Sequence, residues 1–77
     1  MKKFNYYVSA VFDGGTSSLD FVTSTLKEAK EKLQLLKSHI KSMNSWDKAH
    51  TTSIELYIDR QPINTDDMQN IYYRKVK

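Results

Sequence analysis

A stripe of apolar residues in the middle of the chain constrains the fold more than any other feature. Its residues recur at steps of three and four, which places them on one side of an α-helix with 3.6 residues per turn. The stripe consists of Leu26, Ala29, Leu33, Leu36, Ile40 and Met43. On both sides of it the sequence alternates apolar and polar residues, as in strands with one buried face. These patterns predict two strands, a helix and two more strands.

The first two strands are predicted to form a hairpin. Residues 4–12 alternate, and one face of this strand carries Phe4, Tyr6, Val8, Ala10 and Phe12. Gly14 and Gly15 follow Asp13, and glycine favours a tight turn because it reaches positive φ without steric cost. Residues 18–23 are then predicted as a second short strand, with Leu19 and Phe21 on the buried face.

The ends of the helix are indicated by polar residues. Thr25 and Glu28 have the spacing of a capping box, in which the hydroxyl accepts the Glu28 N–H and the carboxylate accepts the Thr25 N–H. The helix is therefore expected to begin at about Thr25. It is expected to end near Asn44, where polar side chains compete for backbone hydrogen bonds. Residues 44–52, which include Trp46, are predicted to form a loop.

The second half of the chain is predicted to supply the last two strands. Residues 53–59 alternate, and the residues directed inward are Ile54, Leu56 and Ile58. Pro62 should end this strand, because proline has no N–H to donate to a neighbour. A last strand is predicted over about residues 70–76. Its register stays open, because the pattern allows either Tyr72 or Tyr73 to face outward.

These elements predict a single small α+β domain spanning residues 1–77. Its order is ββαββ, with a four-stranded antiparallel or mixed sheet and one helix packed on one face. A β-grasp-like topology would follow if the first and last strands were neighbours at the centre of the sheet. That likeness concerns topology alone, and topology does not determine function.

The composition excludes several classes of protein and leaves others open. The chain has no cysteine, hence no disulfide or thiolate metal site, and a cytoplasmic location is expected. The alternating residues after Met1 do not resemble a secretory signal, and no apolar run approaches the length of a membrane span. No catalytic, metal or cofactor motif is present, so a non-enzymatic protein without cofactors is expected. The net charge of +3 permits contact with nucleic acid or an acidic protein and requires neither.

The sheet face away from the helix is the first candidate for binding a partner. Tyr7, Tyr57 and either Tyr72 or Tyr73 should project from it, with Val11 and Val22 beside them and Arg74 at the flank. Tyrosine is enriched in protein interfaces, although cross-strand pairing that only stabilises the sheet is an equal alternative, and stacking of nucleic-acid bases on the rings is a third. The residues selected for partner binding are Tyr7, Tyr57, Tyr72, Leu35 and Trp46.

Leu35 and Trp46 are selected for different reasons. Leu35 lies on the polar side of the helix, where it either anchors a partner or is an ordinary exposed leucine. Trp46 is interpreted first as a plug over the end of the core, and second as an anchor for a partner.

A ridge of lysines on one flank of the helix is the alternative site. Its members are Lys27, Lys30, Lys37 and Lys41, and Arg74 is added from the last strand. Such a ridge can follow the phosphates of a nucleic acid or dock on an acidic protein partner. A solvated helix face, with lysine stems covering the edge of the core, is the simpler interpretation.

The function predicted from the sequence is a small non-enzymatic module that acts by protein–protein contact. Self-association as a homodimer is part of this hypothesis, and nucleic-acid binding through the lysine ridge is the alternative. The small size and the absence of a catalytic motif are typical of accessory or inhibitor proteins of mobile elements such as phages and plasmids.

Overall fold

The computed structural model of the protein describes residues 3–77. The first half forms strands β1 (Phe4–Phe12) and β2 (Ser17–Thr23), joined by a 3-10 turn at Asp13–Gly15. Two helices follow, α1 (Leu26–Ser42) and α2 (Ser45–His50). Strands β3 (Ile54–Pro62) and β4 (Gln69–Lys75) complete the domain. The predicted α+β class and the ββαββ order of the main elements are confirmed.

The four strands form one antiparallel sheet in the order β2-β1-β3-β4. The nine residues of β1 pair along their whole length with β3, from Phe4 opposite Pro62 to Phe12 opposite Ile54. The condition for a β-grasp-like topology is not met, because β3 and not β4 lies beside β1. β4 instead pairs with β3 as a hairpin and forms one edge of the sheet.

The core lies between α1 and the centre of the sheet. The sheet contributes Val8, Ala10, Phe12, Ile54, Leu56 and Ile58, and α1 contributes Ala29, Leu33, Leu36 and Ile40. Leu26 and Met43, at the two ends of the predicted stripe, are only partly covered. α1 packs mainly over β1 and β2, with little contact to β3. The helix therefore lies off the centre of the sheet.

Thr25 caps α1 as the sequence predicts, although the second half of the capping box differs. The Glu28 N–H donates to Thr25 Oγ1 at 3.2 Å. The Glu28 carboxylate accepts hydrogen bonds from the hydroxyls of Thr25 and Ser24 at 3.0 and 3.2 Å, where the sequence predicted the Thr25 N–H as the donor. One acidic side chain thus binds two hydroxyls at the first turn of α1. Its negative charge there also interacts favourably with the positive end of the helix dipole.

The segment predicted as a loop after α1 contains the short helix α2. Asn44 is its N-cap, and its side-chain oxygen accepts the Asp47 N–H at 2.8 Å. The prediction was wrong here because asparagine can either end a helix or begin one, and in this chain it begins one. Asp13 then binds the segment after α2 by accepting the N–H and hydroxyl of Thr52 at 2.7 and 2.9 Å. These two hydrogen bonds lower the pKa of Asp13.

The register of β4 depends on an irregularity in its pairing with β3. Tyr72 lies opposite Ile58, whereas the next residue of β3, Asp59, lies opposite Asn70. The extra residue, Ile71, forms a bulge. Tyr72 therefore faces α1 and packs against the core. Neither helix formed by residues 3–77 combines the length and the apolar character needed to cross a membrane.

Candidate binding groove and open sheet face

A groove runs between α1 and β4 because α1 lies over β1 and β2 and leaves the inner side of β4 uncovered. Two adjoining hollows of about 390 and 550 Å³ form this α1–β4 groove, and Gln34 lines both. Its exposed floor consists of Leu26, Ile71, Tyr72 and Val76, and the buried core residues Leu33, Ile40, Leu56 and Ile58 lie beneath. The groove is thus largely aliphatic at its base.

Five cationic side chains from three elements converge on this groove. α1 supplies three of them, and β3 and β4 supply one each: Lys30, Lys37, Lys41, Arg60 and Arg74. Among residues 3–77, no acidic residue lines either hollow. The groove therefore combines an apolar floor with a positively charged rim.

The periodicities of the elements explain why these cations meet. Lys30, Lys37 and Lys41 lie within a narrow arc of α1, on the flank that faces β4. Arg60 continues the inward alternation of Ile58 in β3. Arg74 lies opposite Leu56 and is directed to the same side of the sheet.

Two of the cations are held by aromatic rings. Lys37 Nζ lies 5.7 Å from the centroid of the Tyr72 ring. The Arg60 guanidinium lies 4.7 Å from the Phe4 centroid, and its Nε donates to Gln69 Oε1 at 2.8 Å. Such contacts position a cation without neutralising it. The positive charge thus remains available to an anionic partner.

The end of the groove near Lys41 carries further positive charge. Lys48, from α2, donates through its Nζ to the backbone carbonyl of Lys41 at 3.4 Å. Lys77 in turn donates through its Nζ to the carbonyl of Lys48. Lys48 of α2 and Lys77, which follows β4, therefore add two more ammonium groups near this end of the groove.

The opposite face of the sheet, which we name the open face, carries three tyrosines. Tyr57 and Tyr73 lie opposite each other, with ring centroids 5.0 Å apart. Both hydroxyls donate to Glu55 Oε2, at 2.9 and 2.7 Å respectively. The Tyr7 hydroxyl donates to Gln61 Oε1 at 3.2 Å. The tyrosine hydroxyls are therefore bound within the protein itself.

These hydrogen bonds change the acidities on the open face. The hydroxyls of Tyr73 and Tyr57 stabilise the charged carboxylate and lower the pKa of Glu55. The same bond to Glu55 raises the pKa of Tyr73 to about 12, and it also raises the pKa of Tyr57. The two rings and the carboxylate consequently behave as one cross-strand unit.

The open face is acidic, in contrast to the groove. Asp20, Glu55 and Asp59 lie on it, and Lys75 is the cation directly opposite Glu55. Asp59 is held by Asn70, whose Nδ2 donates to its carboxylate at 2.8 Å. The two sides of the sheet thus differ in the sign of their charge.

Tyr72 and Arg74 lie on the side of the sheet that faces α1. The sequence left either Tyr72 or Tyr73 for the open face, and Tyr73 lies there, whereas Tyr72, which was selected for partner binding, does not. Arg74 was expected either to flank the open face or to join the lysine ridge, and it lies with ridge lysines in the α1–β4 groove. Tyr7 and Tyr57 are on the open face as predicted, together with Val11 and Val22.

The other selected residues are scattered. Leu35 is 56% exposed on the outer side of α1, and Lys27 is exposed at its first turn, outside the groove. Trp46 is 67% exposed on α2 and stacks on His50 with centroids 4.0 Å apart. The interpretation of Trp46 as a plug over the core is wrong, because the capped helix α2 holds this side chain in solvent.

The groove contains residues that were not selected from the sequence. Arg60 could have been found by continuing the alternation of Ile54, Leu56 and Ile58 by one more step. No sequence pattern places Ile71 in the groove, since its position depends on the bulge in β4. Gln34 lines the groove only because α1 lies to one side of the sheet.

Comparison with known proteins supplies no relative for this chain. No protein-family model, no curated protein and no solved structure matches it. The two surfaces described above are therefore the basis for inferring its function.

Proposed function

We propose that this protein is a small non-enzymatic binding module that docks another protein on the α1–β4 groove. The observation that supports this proposal is the convergence of five cations on one groove with an aliphatic floor. Charge at the rim attracts and orients an acidic partner, while the apolar floor supplies area to bury. The partner we expect is a protein with an acidic surface.

The groove is a better candidate than the open face for a physical reason. A partner at the open face would compete with the hydrogen bonds from Tyr57 and Tyr73 to Glu55. Cross-strand aromatic pairs of this kind stabilise a sheet without any partner. In the groove, by contrast, Lys37 and Arg74 are close to apolar surface and face no acidic neighbour among the lining residues of the described chain.

Nucleic-acid binding is the second candidate, and one observation favours it. Three of the four ridge lysines lie in the same groove as Arg74, so that they could contact neighbouring phosphates together. The floor of the groove argues against nucleic-acid binding, because proteins that bind single strands usually stack the bases on exposed aromatic rings. The aromatic ring in this floor is that of Tyr72, and the Lys37 ammonium already lies over it.

Two charge-reversed variants of equal net charge test the proposal. Lys37→Glu with Arg74→Glu changes the groove, whereas Lys27→Glu with Lys32→Glu changes two cations of α1 that line neither hollow. The probes are a fluorescent glutamate-rich peptide and labelled single- and double-stranded DNA and RNA, followed by anisotropy over a range of salt concentrations. We expect the groove variant to weaken peptide binding at least tenfold and the control variant less than about twofold.

Each of the other results would count against the proposal. Equal losses in both variants would mean that net charge alone attracts the peptide. A loss confined to Tyr7→Ser with Tyr57→Ser would assign binding to the open face. Submicromolar nucleic-acid binding, with a log–log salt slope of about −0.7 to −0.9 per phosphate contacted, would favour the second candidate.

Three more specific expectations from the sequence remain predictions: a cytoplasmic location, self-association as a homodimer, and a role as an accessory or inhibitor protein of a mobile element. Sedimentation equilibrium tests the homodimer. Identifying the partner tests the role in a mobile element.

A further inference from the structure

β4 offers a free edge directly beside the groove. It is the last strand of the sheet order, and within residues 3–77 no strand pairs with its outer side. The Val76 N–H donates to the Ile54 carbonyl at 2.9 Å, so this N–H points toward β3. Because N–H directions alternate along a strand, the Lys75 N–H points away from β3. β4 thus presents backbone groups to an added strand.

An added strand would place its side chains at the groove. Neighbouring strands lie about 4.8 Å apart, and alternate side chains point to the same face of the sheet. Every second residue of a strand beside β4 would therefore be directed to the side on which Tyr72 and Arg74 lie. Such residues recur about every 6.8 Å along the strand. Lys37 and Lys41 are one helical turn apart, about 6 Å along α1.

The cations of α1 follow one another along the groove in the same order as the residues of β4 beside them. Lys30 shares its hollow with Arg60 and Ile71, near the start of β4. Lys37 and Lys41 share theirs with Arg74 and Val76, near its end. The row of cations on α1 thus runs alongside β4, so acidic side chains at alternate positions of an added strand could reach it.

A second copy of this chain does not suit the edge. Pairing two β4 strands would bring two grooves together, each with Lys37, Lys41 and Arg74 and each without an acidic residue among its described lining residues. Like charges placed in this way oppose association. The other edge of the sheet, β2, has Asp20 on it and does not adjoin the groove. The charges favour an acidic partner at β4.

We propose that the partner presents an extended acidic segment, which pairs with the outer edge of β4 as a fifth strand and directs alternate carboxylates into the α1–β4 groove. This inference rests on the proposed function and specifies how the partner is bound. Main-chain hydrogen bonds supply part of the affinity in such strand addition, and alternate side chains supply the specificity.

Three peptides test strand addition on the unaltered protein. The first alternates glutamate and threonine, and the other two have the same sequence with N-methyl groups on every second amide, each in one of the two possible phases. N-methylation removes hydrogen-bond donors and leaves the carboxylates unchanged. We expect the peptide that is N-methylated on the amides directed toward β4 to bind at least tenfold more weakly, as measured by anisotropy. The peptide that is N-methylated on the amides directed away from β4 should bind nearly as tightly as the unmodified peptide.

A matched pair of variants tests the same hydrogen bonds from the side of the protein. Lys75→Pro removes the outward N–H, whereas Lys75→Ala removes only the ammonium group. Proline is tolerated on an edge strand when its missing N–H faces outward. We expect Lys75→Pro to weaken binding of the unmethylated peptide at least tenfold relative to Lys75→Ala, with circular dichroism confirming that both are folded.

The outcomes separate this inference from the proposed function. If both N-methylated peptides bind as tightly as the unmodified peptide, strand addition is refuted and docking on the groove stands. If no acidic peptide binds, or if the groove variant Lys37→Glu with Arg74→Glu binds it normally, the proposed function itself fails. Loss of binding with one N-methyl phase alone, together with loss in Lys75→Pro, supports the fifth strand.

Discussion

Replacing Leu56 with alanine tests the arrangement of the sheet most directly. Leu56 is completely buried in β3, where it lies opposite Ala10 of β1 and Arg74 of β4. It is buried so deeply because β3 has a neighbour on each side and because core side chains from α1 pack in the same cluster. In a β-grasp-like order, β3 would be an edge strand, and Leu56 would lose part of this cover.

The expected loss of stability is large for a domain of this size. Truncation of a buried leucine to alanine costs roughly 2–5 kcal/mol, and we take about 3 kcal/mol for Leu56. A chain of 77 residues has a total unfolding free energy of roughly 4–12 kcal/mol at about 0.05–0.15 kcal/mol per residue. The substitution should lower the Tm by roughly 12–24 °C, at about 4–8 °C per kcal/mol.

Urea titration and thermal melting, both followed by circular dichroism, measure this loss. The matched control is Leu35→Ala, because Leu35 is 56% exposed on the outer side of α1. Alanine is also a good helix former, so the control should change the unfolding free energy by less than about 0.5 kcal/mol. The reasoning is refuted if Leu56→Ala costs less than about 1 kcal/mol, or if the two variants are equally destabilised.

Four further predictions follow from individual interactions. Glu55 has a lowered pKa in the folded protein, so it stabilises the fold above its ordinary pKa of 4.5. This contribution is lost as the pH falls through the lowered value. Urea titrations at acid pH should therefore show a weaker pH dependence of the unfolding free energy for Glu55→Gln. Tyr73→Phe should remove a step at about 12 from the tyrosinate absorbance titration, because the bond to Glu55 raises the pKa of Tyr73 to about 12. Asn44→Ala removes the cap of α2, costs that helix about 1 kcal/mol, and should speed amide exchange at Asp47 while leaving the sheet protected. Arg74→Gln should raise the Tm at low salt by removing one of five like charges, and the gain should shrink as salt screens the others.

The sequence predicted those parts of the fold that depend on a sustained period. The stripe on α1 and the alternation of β1 each extend over nine or more residues, and both are found where they were predicted. Such patterns are reliable because one misplaced residue would move an apolar side chain from the core into water.

The remaining features depend on contacts that no local pattern contains. α2 has only six residues, too few to show a helical period. The side of the sheet on which Tyr72 and Tyr73 lie depends on the bulge between β3 and β4. The groove depends on the order of the strands and on the position of α1 over β1 and β2. The lysine ridge was visible in the sequence and Arg74 was grouped with it, but the apolar groove on which they converge with Arg60 was not.

The two sides of the sheet differ in whether their exposed residues stabilise the folded domain without a partner. On the open face, the hydroxyls of Tyr57 and Tyr73 satisfy Glu55, so the residues there stabilise one another without a partner. In the groove, five cations surround an apolar floor, and their mutual repulsion opposes the compact state. A solvated helix face could spread its lysines away from Arg60 and Arg74, whereas this chain brings them together. An acidic segment would relieve that repulsion and cover the floor, and for this reason we propose the groove, and not the open face, as the docking surface.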